Sequence, residues 1–518
     1  MGSQLWRTKS IDKLIADADL EERRLRKTLG VLSLTALGVG AIIGTGIFVF
    51  TGTAAAGEVV KHPSLLKAPL LDVLLHGSQA LSVGGRPGAG PAIALSFFLV
   101  AIVCGFAALC YAELASMIPI AGSAYTYTYA TLGELVAWII GWDLILEYGV
   151  SNMGVAVGFS AHVDSLLQGF GIQLPRELST PAYSPEAGWA MHFNLPGFLI
   201  VMLLTVLLVI GIRESAGANS LMVGVKLIAI LVFVFAAAKY VNASNWKPFM
   251  PNGWQGVLTG GAIVFFTYIG FDSVSTAAEE CKNPKRDLPL GILLSLGICA
   301  VFYISVAVVL TGIQHWESLR NAAPVANALK AIGLEQVQRW VTIGALTGMI
   351  SSLLVFQLGQ ARVWFAMSRD GLLPKAFSRV HRKFRTPHVS TWVAGFFVGI
   401  PAGIFDIGTL ADLSNIGTLF AFVLVSLAVL ILRRTQPERP RAFRVPAVWL
   451  VAPVSILCCL VLMTGLPLEN WVRFVVWLVI GLVIYFSYSR KRSELHVAQH
   501  ARPFDSAQGR PGAPRVGR

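Results

Sequence analysis

From Leu29 to Gly57 the chain carries no charged residue, and apolar runs of similar length recur along it, separated by short polar patches. A helix needs about 20 residues to cross roughly 30 Å of hydrocarbon. A large soluble protein buries shorter, periodic apolar stripes instead. Twelve runs fit the spanning length: Leu32–Phe50, Pro91–Tyr111, Ala137–Val163, Pro196–Ile212, Ala216–Ala238, Val257–Ala278, Leu290–Leu310, Trp340–Met367, Val389–Phe405, Ile407–Leu432, Val445–Leu466 and Trp471–Tyr488. The pattern predicts an all-α integral membrane protein with twelve transmembrane helices.

Charge gives this pattern a direction. Of 41 Lys and Arg, 29 fall in the N-terminal segment, alternate loops and the C-terminal segment. Ten fall in the other loops, and Lys226 and Arg362 lie inside spanning segments. Cytoplasmic loops carry the basic excess, so both termini are expected in the cytoplasm, with the chain multi-pass in a plasma membrane (the cell inner membrane if bacterial). The net charge of +13 therefore reports topology, and nucleic acid is not an expected partner. Met1 to Lys27 lacks an apolar stretch near its front, so no cleaved signal peptide is expected.

Composition changes little. Charged residues make up 13% of the chain, about half the share of an ordinary soluble domain. The six cysteines lack the spacing of a metal or redox site, and no cofactor or metal is expected. The segments outside the spans are residues 1–29, the mixed stretch from Glu58 to Gly90, the loop from Glu177 to His192, and an Arg-, Pro- and Gly-rich tail (491–518) expected to be disordered.

Candidate chemistry lies inside the spans. The first segment holds four glycines within nine residues, Gly38, Gly40, Gly44 and Gly46, the last two flanking Thr45. Glycine costs up to about 1 kcal/mol mid-helix, so the cluster points either to close packing or to an unwound turn. An unwound turn frees backbone groups that membrane depth tolerates only where they line a cavity or bind something. The sixth segment, with Gly270 followed by Asp272, looks interrupted in the same way, and matched interruptions point to a transporter site. Lys226 sits ten residues into the fifth segment, roughly 15 Å deep at 1.5 Å per residue. An ionisable side chain at that depth is a functional candidate, and a lysine that can release its proton is a candidate proton carrier. Asp143 and Glu147 share a face of the third segment, Glu147 being the preferred proton site. Arg362 is expected to make a structural ion pair. Tyr125, Tyr127 and Tyr129 read as an aromatic cluster at the membrane interface.

These motifs resemble a known group. GAIIGTGIF in the first segment resembles the substrate motif of the amino acid–polyamine–organocation superfamily. FFTYIGFDSVSTAAEECKNPKRDLP, ALCYAELASMIP, GSAYTYTYATLGE and AMSRDGLLP resemble the cationic amino acid transporter family within it, in its bacterial branch. The resemblance runs from about residue 28 to 490. It implies a transporter domain over 30–490, with a 5+5 inverted repeat (about 30–240 and 253–434), broken first and sixth helices and two further helices at 445–490.

The resemblance also implies a site. Thr45 and Gly46, beside Gly44, would offer N–H groups to a substrate carboxylate. The carbonyls of Ile42, Phe266 and Ile269, beside Gly270, would take the α-ammonium. Lys226 matches a lysine standing where sodium-coupled relatives bind their ion, which implies proton coupling. Met349 and Phe356 would bound a side-chain pocket suited to small or apolar substrates. The expected function is secondary active, proton-coupled amino acid symport by alternating access, with amino acids, protons and membrane lipids as partners and no enzymatic activity. Sodium coupling, exchange and a non-transporting sensor remain alternatives.

Overall fold

The computed structural model describes residues 5–18, 27–58, 64–77, 79, 85–168, 171–184, 188–321 and 323–496, with backbone alone at 212–216 and 407–413. The last part of the expected disordered tail, 497–518, lies outside them. The described residues are mostly helical; their strands are Tyr183–Ser184 and Gly188–Trp189, paired antiparallel. The principal helices are α1 (Val31–Ile42), α2 (Thr51–Ala56), α3 (Ile93–Met117), α4 (Ala124–Thr131), α5 (Glu134–Gln168), α6 (Leu195–Ile210), α7 (Ile212–Ala238) and α8 (Gly253–Val264). They continue as α9 (Pro284–Ile313), α10 (Pro324–Ala331), α11 (Glu335–Arg369), α12 (His388–Ile404), α13 (Ile407–Thr435), α14 (Val448–Thr464) and α15 (Leu468–Ile484).

Nine helical stretches among the described residues are long and apolar enough to cross a membrane. The three shorter apolar helices α6, α12 and α14, of 16, 17 and 17 residues, coincide with the fourth, ninth and eleventh predicted segments. Large apolar side chains stay exposed on short and long helices alike, among them Leu203, Phe235, Leu450, Leu457 and Val483. Water would not tolerate a continuous belt of this kind, whereas hydrocarbon does.

The interior is organised around α1, α5 and α11. Helix α9 packs along α3 and α1, α11 along α5 and α7, and α13 along α5 and α14. Short α4 lies against α5 and α13, which corrects the reading of its tyrosines. Tyr125, Tyr127 and Tyr129 are fully buried, not interfacial. Tyr125 donates to Asp370 at 2.7 Å and Tyr129 to Glu134 at 3.2 Å. Three tyrosines at every second position meet α5 and α13 because α4 is enclosed on several sides, which spacing alone does not reveal.

The ends of the chain join this scaffold. Lys9, 2% exposed, forms ion pairs with Asp370 at 2.8 Å and Glu494 at 3.0 Å. The Glu494 N–H donates to the Asp370 carbonyl, so residues up to 496 are ordered parts of the fold.

Candidate functional site

The first helix breaks where its glycines cluster. Helix α1 stops at Ile42, Ile43 leaves helical geometry (φ −83°, ψ 88°), and the chain resumes at Gly46 as a wide π turn before α2. The sixth breaks as well. After α8 a 3₁₀ turn spans Phe265–Tyr268, Ile269 is extended, Gly270 has φ +126°, and Asp272–Glu280 continues as 3₁₀ helix. Glycine is needed at the crossing of the two breaks. A Cβ on Gly46 would stand 2.8 Å from the Thr267 backbone, and one on Gly270 would meet the Ala41 side chain at 2.6 Å. Packing and unwinding, the two explanations of the cluster, therefore both hold. Gly38, Gly40 and Gly44 also back onto Ser295, Ser351 and Ser352.

Unwinding exposes carbonyls, and three of them converge on one cation. The Lys226 ammonium donates to Val39 O at 2.9 Å, Gly40 O at 3.0 Å and Ile43 O at 2.8 Å. All three of its N–H donors are used, and the side chain is fully buried. Neighbouring carbonyls are held by hydroxyls. Ser352 donates to Ala41 O at 2.8 Å. Tyr303 lies 2.7 Å from Ile42 O and 2.8 Å from Thr267 O. It has one proton to share between the two carbonyls, and Ile42 O also accepts the Gly44 N–H at 3.1 Å. Tyr303 thus joins the two breaks, and Ile42 O, the expected ammonium ligand, is shared with it. Nothing in the apolar run around Tyr303 marked it beforehand.

The other expected residues lie around this crossing. Ile42, Gly44, Thr45, Gly46, Phe266, Ile269 and Gly270 are all buried. The Thr45 hydroxyl has no hydrogen-bond partner among the described residues. The Phe266 ring packs on Phe50, centroids 5.0 Å apart. Gly348, just before the fully buried Met349, backs onto Lys226 and the Ile43 carbonyl. The Phe356 ring stands 6.2 Å from Tyr148. Tyr148 in turn donates to Asp272 at 2.5 Å, a link from α5 to the sixth-segment break that the adjacent Glu147 could have suggested.

Glu147 and Asp143 are almost completely buried and lack ion-pair partners among the described residues. The Thr418 hydroxyl near Glu147 is engaged by the Ser414 carbonyl at 3.1 Å. Asp272 is an acidic neighbour of Glu147. Three buried carboxyls, Asp143, Glu147 and Asp272, therefore neighbour one another.

Both ends of the crossing are closed. At one, Thr28 and Leu29 donate backbone N–H groups to Glu280 O at 2.8 and 3.0 Å. There Glu280 pairs with Arg362, the structural pairing expected of that arginine, and Glu279 pairs with Arg369. At the other, Arg320 donates to Ala56 O at 2.7 Å and Gly57 O at 3.0 Å. A Cβ on Gly52 would strike Leu319 O at 2.4 Å. Helix-break carbonyls and N–H groups at membrane depth can take up the two charges of a small zwitterion.

Comparison with known proteins agrees with this geometry. Residues 29–487 match the amino acid permease family. The chain is 47% identical, over 96% of its length and 100% of the relative's, to the branched-chain amino acid permease BcaP of Bacillus subtilis. It is 43% identical to the methylthioribose transporter of the same organism, over 95% of this chain and 100% of that one. It is 35% identical to the vacuolar cationic amino acid transporter 4 of Arabidopsis thaliana, over 84% of this chain and 68% of that one. The chain belongs to the amino acid permease family of the amino acid–polyamine–organocation superfamily, whose members are multi-pass membrane transporters.

Proposed function

We propose that the protein is a proton-coupled secondary transporter of neutral, apolar amino acids. It works by alternating access around the crossing of its two broken helices. The observation that carries the coupling is the Lys226 ammonium spanning three carbonyls of the first break. A cation fixed there by the protein does the work that a bound metal cation would otherwise do. The substrate carboxylate is assigned to the N–H groups of Thr45 and Gly46. Its α-ammonium is assigned to the carbonyls of Ile42, Phe266 and Ile269, with Tyr303 yielding one of its two acceptors. Buried Met349 and Phe356 favour an apolar side chain, as does the likeness to a branched-chain amino acid permease.

The reading includes twelve spans, two inverted five-helix repeats and two further helices, with both termini in the cytoplasm. Nine long and three shorter apolar helices support that count. Lys226 exchanges a proton as the site alternates, and Glu147, close to Asp272, serves the path. A ligand biases the two states only by its difference in affinity for them. Proton and amino acid together must therefore favour the state that neither favours alone.

Uptake of radiolabelled amino acids into sodium-free proteoliposomes, with and without an inward proton gradient, tests this. Gradient-driven uptake of leucine, isoleucine or valine is expected. A sodium requirement refutes the coupling, and uptake confined to lysine and arginine refutes the substrate class.

A further inference from the structure

At the end of the helices where α11 finishes, several basic side chains are matched by acids. Glu280 holds Arg362 and Glu279 holds Arg369. Glu113 takes both Arg433 and Arg441, Asp12 takes Arg439, and Lys9 lies between Asp370 and Glu494. The segment between α11 and α12 gathers its cations without acids. Residues 371–388 hold five Lys and Arg and two His, and no Asp or Glu. Arg379, Arg382 and Lys383 are exposed and, among the described residues, have no carboxylate partner.

The segment is nonetheless a folded loop. His381 N–H donates to Thr386 O at 2.8 Å and Arg385 N–H to His381 O at 2.9 Å. His381 Nδ1 accepts backbone N–H groups from Lys383 and Phe384, each at 3.2 Å. Thr386 ties the loop to α6 by donating to Val209 O at 2.8 Å. Arg385 is held at φ +57°, a conformation a bulky residue adopts only when its surroundings fix it. The result is a cleft of about 580 Å³ lined by Arg379, Val380, His381, Arg382, Lys383 and His388. The N-terminus of α12, which begins at His388, adds its partial positive charge.

An apolar strip leads away from the cleft. Along α12, Trp392 stacks on Phe396, and Val393, Phe396 and Ile400 are exposed. Leu199, Leu203, Val206 and Ile210 are exposed on α6, which packs beside α12. A cationic cleft at the end of a lipid-facing apolar strip matches a molecule with an anionic head and hydrocarbon tails. We propose that the cleft binds the headgroup of an anionic phospholipid. Its phosphate lies among Arg379, Arg382 and Lys383, and its acyl chains run along Trp392 and Phe396. A free anion would use the cations but leave the strip without a role.

The test uses the purified full-length chain in neutral detergent, with bound lipid counted by native mass spectrometry. Phosphatidylglycerol should bind well above phosphatidylcholine. The R379Q/R382Q/K383Q chain should lose roughly a hundredfold in phosphatidylglycerol affinity, from the usual worth of three basic side chains at an anionic surface. R434Q, which removes an exposed cation over Trp449 instead, should change nothing. Raising salt should weaken phosphatidylglycerol binding to the unaltered chain and leave phosphatidylcholine as it was, a readout that does not depend on a variant folding. Equal binding of the two lipids, or an unaffected triple variant, overturns the proposal. So does inorganic phosphate binding as tightly as phosphatidylglycerol, which would give the cleft to a free anion.

Discussion

Replacing Lys226 tests the coupling most directly. Protonated, its side chain offers three N–H donors to three carbonyls of the first break. Deprotonated, it has two donors and no charge, so at least one carbonyl is released. A hydrogen bond to a charged group is worth about 1.5–3 kcal/mol. One proton therefore changes the hold on the break by about that much, enough to shift a two-state balance tenfold or more.

Drive and hold are of the same size. With one proton carried per amino acid, an inward gradient of one pH unit supplies about 1.4 kcal/mol, an accumulation of about tenfold. Lys226→Ala should abolish that accumulation, and counterflow of labelled substrate at equal pH should persist. Because it removes the ammonium from three buried carbonyls, of which Val39 O still accepts the Ile43 N–H at 3.0 Å, at about 1–3 kcal/mol for each one left bare if water stays out, it will also destabilise the protein. Lys226→Gln is the cleaner variant, since its amide can donate twice and carries no titratable proton. The assay is accumulation in sodium-free proteoliposomes at a fixed inward gradient. Tenfold accumulation by Lys226→Gln would refute the reasoning.

Other outcomes follow from the same contacts. Gly46→Val places a Cβ 2.8 Å from the Thr267 backbone; it should abolish substrate binding by calorimetry while the protein still inserts and remains monodisperse. Tyr303→Phe leaves two buried carbonyls without their shared donor, at about 1–3 kcal/mol, and should change KM roughly tenfold or more with a smaller change in maximal rate. Glu280→Gln leaves buried Arg362 without a carboxylate, a loss of about 3–5 kcal/mol, and should loosen the closure beside Leu29. A cysteine placed at Thr45 should then react faster with a reagent added from that side. Lys9→Met leaves the nearly buried Asp370 carboxylate with the Tyr125 hydroxyl but without its ammonium partner and should lower Tm by several degrees without changing substrate specificity.

The spanning segments were legible because hydrocarbon imposes one requirement on every such helix. About twenty residues without charge form a signal that needs no tertiary information. The two glycine-marked breaks were legible for a related reason. Glycine at such density inside an apolar helix is locally unfavourable, so something other than propensity must account for it. Lys226 stood out by depth alone. In each case a local feature is costly unless the fold uses it, and cost is readable residue by residue.

What the tertiary structure decided is which of these features meet. No local signal said that Gly46 faces Thr267 while Gly270 faces Ala41, or that the Lys226 ammonium ends on Val39, Gly40 and Ile43. Tyr303 and Tyr148 are ordinary aromatic residues in sequence, and they matter because their hydroxyls reach across helices to Ile42, Thr267 and Asp272. The α4 tyrosines were misread at the interface because alternate aromatics near a helix end look alike whether lipid or protein covers them. Lys9, in a polar stretch, proved buried because its partners, Asp370 and Glu494, lie hundreds of residues away. The sequence by itself determined that this chain crosses a membrane, where its helices are weak and where a charge is buried. Only the fold determined the partners, because a hydrogen bond or ion pair depends on a few ångströms of separation between segments that the order of residues leaves free.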